Sequence, residues 1–180
     1  MKTYVLLVRG INVGGKNKVV MSEWRAGIVA LGFQNVSTYI NSGNLFFRSD
    51  RPRQEVCQYL RTYFEQAYPF IQHFSLIEKS DFLKEIVDLP DWWQEDLARK
   101  DVLFYTEGLD SLPVVERIKT FSLGDEQVYF GRLGIYWGKN SEKEYLKTAY
   151  HKQLIKEDFY GQMTIRNGNT VEKIVTFLTK

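Results

Sequence analysis

Strand and helix patterns follow one another along this chain in an order that repeats, and that order limits the fold more than any other feature. In the first half the order is β-α-β-β-α-β, with strand patterns over residues 3–9, 35–40, 45–48 and 71–78 and helix patterns over residues 24–31 and 56–64. Each helix has one apolar stripe to bury, so both must cover one face of a four-stranded antiparallel sheet. This is the split βαβ arrangement, a ferredoxin-like unit.

The second half repeats the order and adds a helix. Strand patterns lie over residues 101–106, 127–130, 134–137 and 163–166, and helix patterns over residues 113–119, 141–155 and 169–178. Ser141 with Glu144 is a capping box for the second of these helices, and Asn169 with Glu172 opens the last. The sequence therefore predicts an α+β protein of two tandem ferredoxin-like βαββαβ units with antiparallel sheets, plus a C-terminal helix.

The predicted units are residues 1–79 and 101–180, joined by a connector over residues 80–100. The connector starts with a short helix for which Ser80 is the expected N-cap. An irregular acidic stretch follows, in which Trp92 and Trp93 are expected to be exposed. Exposed aromatic residues of this kind suit a contact with a partner or a second copy of the chain.

Composition excludes several classes of protein. The chain has 180 residues, 44% of them hydrophobic, which supports a sizeable core without metals or disulfides. Its single cysteine, Cys57, allows no intrachain disulfide and fits a reducing compartment. No signal-peptide pattern is present, and no apolar run approaches the ~18 residues of a membrane span. We therefore expect a cytoplasmic protein with no membrane partner.

Metal and cofactor motifs are missing from the sequence. His73 and His151 lie far apart, and neither has a Cys or an acidic residue at metal-ligand spacing. Cys57 lies beside an apolar helix stripe and is interpreted as a packing residue. We expect no bound metal and no cofactor, and no motif identifies a catalytic residue.

Charge is unevenly distributed along the chain. Residues 1–53 contain eight Lys or Arg and two acidic residues, a net charge of +6, whereas residues 78–110 have a net charge of −6. A basic first third suits an anionic partner. The alternative is that these charges are solvated and spread over all sides of the fold.

The loop Gly10–Lys18 is the most unusual segment. Three glycines and two asparagines follow a buried strand, and two lysines stand at its end. Glycines let backbone N–H groups converge on an anion, and the lysines add positive charge. The alternative is a connection that only turns the chain. A match to G-x-x-x-x-G-K is rejected as a nucleotide-binding P-loop, because Asn17 occupies the Ser/Thr position and the helix starts several residues later.

Two further polar turns are candidates for the same site. Ser42-Gly43-Asn44 lies between two predicted strands, where it also fits a plain hairpin turn. Arg166-Asn167 precedes the last helix, where Arg166 suits a bidentate grip on phosphate or carboxylate, or else a structural ion pair. The candidate ligand-binding residues are Arg9, Gly10, Asn12, Gly14, Gly15, Lys16, Asn17, Lys18, Ser42, Gly43, Asn44, Arg166 and Asn167.

The motifs R-G-I-N-V-G-G-K-N-K, S-G-N-L-F-F and T-I-R-N-x-x-T-V-x-K resemble, in the same order, those of a bacterial family known as domain of unknown function 1697. The resemblance covers nearly the whole chain. It implies a duplicated ferredoxin-like fold, and it implies that the candidate residues above are hallmark positions. It implies no activity. Relatives tend to have Trp after the R-N pair, where this chain has Gly168, so a ligand contact through that Trp would be lost here.

Three functional hypotheses follow. In the first, the basic loop together with the polar turns binds an anionic small molecule or a nucleic-acid backbone without chemically altering it. In the second, an enzyme grips a substrate phosphate or carboxylate there, with Lys16 or Lys18 neutralising charge and with Asn12 and Ser42 orienting the reacting group. In the third, the Trp92–Trp93 connector is a structural or dimerisation contact, although the sequence does not fix an oligomeric state.

A nucleic-acid partner has a second, weaker basis in the sequence. The hairpin aromatics Tyr129, Phe130, Tyr136 and Trp137 are placed like the strand residues that stack bases in RNA-binding βαββαβ sheets. No RNA-binding consensus accompanies them, and alternation along a strand turns half of them inward. Core packing is therefore the interpretation we adopt for these rings.

Overall fold

A computed structural model of the chain describes residues 1–140 and 145–180. It consists of two compact units, Met1–Asp81 and Phe82–Lys180. Each unit has one four-stranded sheet in which every neighbouring pair is antiparallel. The predicted α+β class, with two tandem βαββαβ units and a C-terminal helix, is confirmed. None of the helices in the described part of the chain has the length and apolar character needed to cross a membrane.

The first unit has six main elements. They are β1 (Lys2–Val8), α1 (Met21–Ala30), β2 (Gln34–Tyr39), β3 (Asn44–Ser49), α2 (Arg53–Ala67) and β4 (Phe74–Glu78). The strand order is β2-β3-β1-β4, with β1 in the middle. Its last residues pair with the start of β3, Leu7 opposite Asn44, so the β2–β3 turn lies beside the point where β1 ends.

The first unit's core lies on one face of its sheet. Alternate residues of β1, Tyr4, Leu6 and Val8, point toward the helices and are fully buried. The predicted stripe of α2 is buried among them, and Trp24 and Ile28 bring α1 onto the same face. Trp24 Nε1 and Tyr4 Oη are buried with no hydrogen-bond partner among the described residues.

The second unit repeats this plan with more helical segments. Its helices and strands are α3 (Lys79–Val87, beginning in the last residues of the first unit), β5 (Arg99–Phe104), α4 (Ser111–Ile118), β6 (Gln127–Phe130), β7 (Gly134–Lys139), α5 (Ala149–Lys152), β8 (Thr164–Asn167) and α6 (Gly168–Leu178). Short 3-10 turns span Asp91–Gln94, Tyr145–Lys147, Leu154–Lys156 and Asp158–Gln162. The strand order is β6-β7-β5-β8, with β5 in the middle.

The predicted helix over residues 141–155 is wrong where the structure describes it. Short helical segments replace it, because Thr148 is extended (φ −69°, ψ 153°) and caps α5 by accepting a hydrogen bond from the His151 N–H. The carboxylate of Glu126 also holds the start of α5, accepting from Ala149 N at 2.7 Å and Tyr150 N at 3.2 Å. The predicted Ser141–Glu144 capping box lies outside the described residues.

Two predicted helix starts are also corrected. Ser80 is the second residue of α3 rather than its N-cap. The last helix is capped by Asn167, whose Oδ1 accepts from Thr170 N at 2.9 Å, and not by Asn169. Both predictions place the helix start two residues late: α3 follows β4 without a turn, and Asn167 and Asn169 are the same cap-forming residue type.

Trp93 is buried, so the prediction of an exposed Trp92–Trp93 pair is wrong. Its ring packs edge-on against Tyr136 with centroids 5.3 Å apart, while Trp92 is half-buried. Tyr136 and Trp137 are themselves buried within the second unit. Neither ring offers a face on which a base can stack, which supports core packing for this hairpin.

Candidate functional site

The segment after β1 forms a small two-stranded arm. Val13 and Lys16 pair as an antiparallel bridge, and Lys16 N donates to Val13 O at 3.0 Å. Between them, Gly14 and Gly15 have φ values of 57° and 74°. Positive φ at both central residues is what a two-residue type I′ hairpin requires. These two glycines therefore have a structural role as the turn of the arm.

The base of the arm is closed by its two asparagines. Asn12 N donates to Asn17 O at 3.0 Å, and the Asn17 side chain donates to Gly10 O at 3.0 Å. Asn12 and Asn17 have φ values of 55° and 53°, in the left-handed region that asparagine tolerates better than most residues. We call residues 10–18 the basic arm.

The Asn12 side chain joins the basic arm to two other segments. Its Nδ2 donates to Val19 O at 3.0 Å and to Asn41 O at 2.8 Å, and its Oδ1 accepts from Val19 N at 2.8 Å. Asn41 belongs to the β2–β3 turn. The arm and that turn, which are distant in sequence, are therefore held together at one corner of the first unit.

The β2–β3 turn is packed closely on β1. Gly43 O accepts from Val8 N at 3.0 Å, and a Cβ on Gly43 would lie 2.5 Å from Val8 Cγ2 and 2.8 Å from Val8 O. With a φ of 111° as well, this position accepts only glycine. The buried Asn44 side chain donates to Tyr39 O and Ser42 Oγ, both at 3.2 Å, and fixes the turn from inside.

Positive charge on the arm is exposed. Lys16 and Lys18 are solvent-exposed, and neither ammonium pairs with a carboxylate within residues 1–140 and 145–180. Arg9, just before the arm, is half-buried and has partners of its own. Among the described residues, none accepts a hydrogen bond from the N–H of Gly14 or Gly15.

Two exposed aliphatic side chains belong to the arm and to the start of the β2–β3 turn, and the sequence analysis identified neither. Val13 is 66% exposed and Ile40 is 51% exposed. Ile40 has a φ of 49°, a left-handed conformation that is an outlier for a β-branched residue. No sequence signal identifies such a residue, because isoleucine before Asn-Ser-Gly-Asn is typical of an ordinary strand end. We call residues 10–18 with residues 40–44 the basic corner.

Arg166 and Asn167 lie in the second unit, at the end of β8. Arg166 is buried, and its Nη1 donates to Ile165 O at 2.8 Å. Asn167 is the N-cap of α6, so its side-chain oxygen is occupied by the helix. A Cβ at Gly168 would lie 3.2 Å from Lys100 Cβ. The basic corner defined above consists of first-unit residues only.

The second unit contains two buried ionic groups that no motif predicted. The Glu85 carboxylate accepts from Arg132 N, Leu133 N and Tyr136 Oη. Burial, and after it the Glu85 carboxylate, raises the pKa of Tyr136. Lys139 is fully buried and pairs with Asp101 at 2.6 Å. Burial lowers the pKa of Lys139, although the Asp101 carboxylate opposes this effect. Glu85 connects α3 to the β6–β7 turn, and the Lys139–Asp101 pair connects β7 to β5.

Metal coordination finds no support in the described part of the chain. Within it, no three His, Cys, Asp or Glu side chains are grouped so that they could hold a metal ion. Cys57 is buried, with the Arg53 guanidinium 3.7 Å from its sulfur.

Comparisons with known proteins agree with the fold and assign no activity. The structure is similar throughout to that of the conserved bacterial protein SP0830 from Streptococcus pneumoniae, with 55% sequence identity, a TM-score of 0.95 and 98% of each chain covered. No curated protein matches the chain. Residues 1–136 match the family described as protein of unknown function DUF1697, and because this is most of the chain, the resemblance is confirmed and the chain belongs to that family.

Proposed function

We propose that the basic corner binds an anionic ligand without chemically altering it. The observation that carries this proposal is the pair of exposed lysines, Lys16 and Lys18, on an arm that hydrogen bonds hold in one shape. Ammonium groups bind phosphate and carboxylate oxygens through charge-assisted hydrogen bonds. The N–H groups of Gly14 and Gly15 offer further donors at the tip of the arm.

Rigidity of the arm supports binding rather than a simple connection. A plain link between β1 and α1 has no need of a paired hairpin braced by the three hydrogen bonds of the Asn12 side chain. A preformed arm presents its charges without a further loss of conformational entropy when a ligand arrives. The bracing therefore favours a surface that serves recognition.

The same hydrogen bonds argue against the enzyme hypothesis. That hypothesis assigned Asn12 and Ser42 to orient a reacting group. The Asn12 amide already has three backbone partners, and the Ser42 hydroxyl accepts from Asn44. The Asn12 amide is therefore occupied by the backbone and cannot orient a reacting group as that hypothesis requires, so we propose binding without turnover.

The test uses inorganic polyphosphate as the probe and the full chain as the protein. We expect the double variant Lys16→Ala/Lys18→Ala to bind polyphosphate at least about tenfold more weakly at low salt, because two charge-assisted contacts are lost. The matched control is Lys156→Ala/Lys173→Ala, which removes the same charge from exposed lysines of the second unit. If both double variants lose affinity equally, binding is general electrostatics and the proposal fails.

A further inference from the structure

We infer that the anionic ligand of the basic corner is a nucleic-acid duplex, with the basic arm entering one of its grooves. This inference rests on the proposed function and narrows its ligand to one chemical class. Three features of the basic corner support it: the open space around the arm, the strained Ile40, and the mixture of charge and aliphatic surface.

The arm projects into open space. A Cβ placed on Gly10, Gly14 or Gly15 would meet no atom within 4 Å, and residues 13–18 are all exposed. Small phosphorylated molecules bind in concave sites that cover most of their surface. A projecting arm does not form a concave site of this kind. Its shape is complementary to a partner that has a groove into which the arm can fit.

Ile40 supplies the second observation. A left-handed conformation costs an L-residue about 1–2 kcal/mol, and it is least tolerated by β-branched side chains. Here that conformation exposes half of an isoleucine rather than packing it. Backbone strain of this kind clusters at ligand-binding and switch sites, so we assign Ile40 to the surface that contacts the ligand.

Val13 lies on the arm with Lys16 and Lys18, and Ile40 precedes Asn41 in the turn to which the arm is hydrogen-bonded, so the basic corner carries exposed aliphatic and cationic side chains. The Asn12–Asn41 hydrogen bond holds the two segments in register. A duplex presents the same combination, with phosphates along each groove and the apolar edges of sugars and bases within it. A two-stranded ribbon fits a major groove roughly 12 Å wide. Lysines would then contact phosphates, and the aliphatic side chains would face the groove.

The experiment measures binding of the full chain to a fluorescently labelled random-sequence DNA duplex by anisotropy at several salt concentrations. With Lys16 and Lys18 each neutralising one phosphate, the slope of log K against log salt should be about −2. In Lys16→Ala/Lys18→Ala the slope should become shallower by about two. The Lys156→Ala/Lys173→Ala control should leave it unchanged.

Ile40→Gly tests the groove contact separately from charge. Glycine accepts the positive φ, so the variant should keep its fold, which circular dichroism and thermal unfolding would check. We expect duplex affinity to fall by about tenfold, the loss for one partly buried aliphatic side chain, with the salt slope unchanged. Leu112→Ala, which trims a side chain 65% exposed on α4, is the matched control and should bind like the unaltered protein.

Failure of this inference differs from failure of the proposed function. If polyphosphate binding needs the two lysines but Ile40→Gly binds duplex normally, the inference is overturned and the proposed function stands. If neither polyphosphate nor duplex binds, both fall. Ile40-dependent binding to vesicles of equimolar phosphatidylserine and phosphatidylcholine, with no duplex binding, would overturn the inference in favour of a membrane surface.

Discussion

Ile40 is the residue whose conformation conflicts most with its chemistry, since it combines a φ of 49° with 51% exposure. Replacing it with glycine should remove the steric cost of the left-handed conformation, although glycine adds entropy to the unfolded chain. We expect Ile40→Gly to raise the free energy of unfolding by up to about 1 kcal/mol, measured by chemical denaturation.

Val36→Gly in β2 is the comparison for that measurement. Val36 is not in the left-handed region and packs against the core, so the same change there should destabilise the protein. Destabilisation by Ile40→Gly of the size found for Val36→Gly would show that Ile40 packs as a normal core residue, contrary to the account above.

Asn12 is the residue on which the basic corner's shape depends. Asn12→Ala removes three side-chain hydrogen bonds and leaves Val19 N–H and two carbonyls without those partners. We expect a loss of roughly 1–3 kcal/mol in the free energy of unfolding. It would be accompanied by faster amide hydrogen exchange in residues 12–19.

Asn41→Ala is the matched control for Asn12→Ala. Asn41 is exposed and contributes its backbone carbonyl to the contact, which alanine keeps. Its stability and exchange should match those of the unaltered protein. Equal effects of the two substitutions would contradict the bracing role given to the Asn12 side chain.

Residue types in the basic arm can be read from the sequence, whereas the backbone conformations that shape the corner cannot. The cluster of Gly, Asn and Lys in residues 10–18 is visible in the sequence, and it predicted which loop to examine. The sequence alone did not predict that Gly14 and Gly15 form a type I′ turn, because this turn depends on the pairing of Val13 with Lys16. The strain and exposure of Ile40 were also not predicted. They depend on how the β2–β3 turn packs against β1, and no local sequence pattern encodes that packing.

At the scale of elements, local periodicity predicted the helices and strands whose stabilising contacts are local. The apolar stripe of α2 predicted a helix and the nearly continuous apolar run of β1 predicted a buried strand, and both predictions are confirmed. The helix over residues 141–155 failed because Glu126, far away in sequence, holds a new helix start at Ala149. Trp93 was misjudged because its partner Tyr136 lies on another element.

The ion pair between β5 and β7 is a contact between elements that can be measured. Lys139 has no exposed surface, so Lys139→Met should cost about 3–5 kcal/mol by leaving the Asp101 carboxylate without its charged partner. Asp101→Asn/Lys139→Met should cost clearly less than the two single changes added together. A double-mutant cycle by chemical denaturation gives this coupling, expected at about 1–3 kcal/mol.

Strict additivity in that cycle would contradict the interpretation. It would mean that Lys139 is held by other contacts, such as the Tyr150 ring, whose centroid lies 3.4 Å from its Nζ. Lys2→Met is a useful reference, because its pairing with Glu78 at 2.9 Å is exposed and should contribute little.

At the scale of the whole molecule, repetition of one fold has produced two units with different surfaces. Both have the same strand order around a central strand. The positive charge is concentrated in the first of them, with a net charge of +6 over residues 1–53 in a chain whose total is +2. The total alone would predict little attraction to polyanions, so the proposed binding depends on where the charge lies.

The salt dependence of polyanion binding tests this account most directly. We would measure the affinity of labelled polyphosphate for the intact chain and for Lys16→Ala/Lys18→Ala over a range of sodium chloride concentrations. A basic corner that binds anions predicts a linear fall of log K with log salt, clearly shallower in the variant because two contacts are gone. Identical salt dependence in the two proteins, or no measurable binding by the intact chain at low salt, would contradict it.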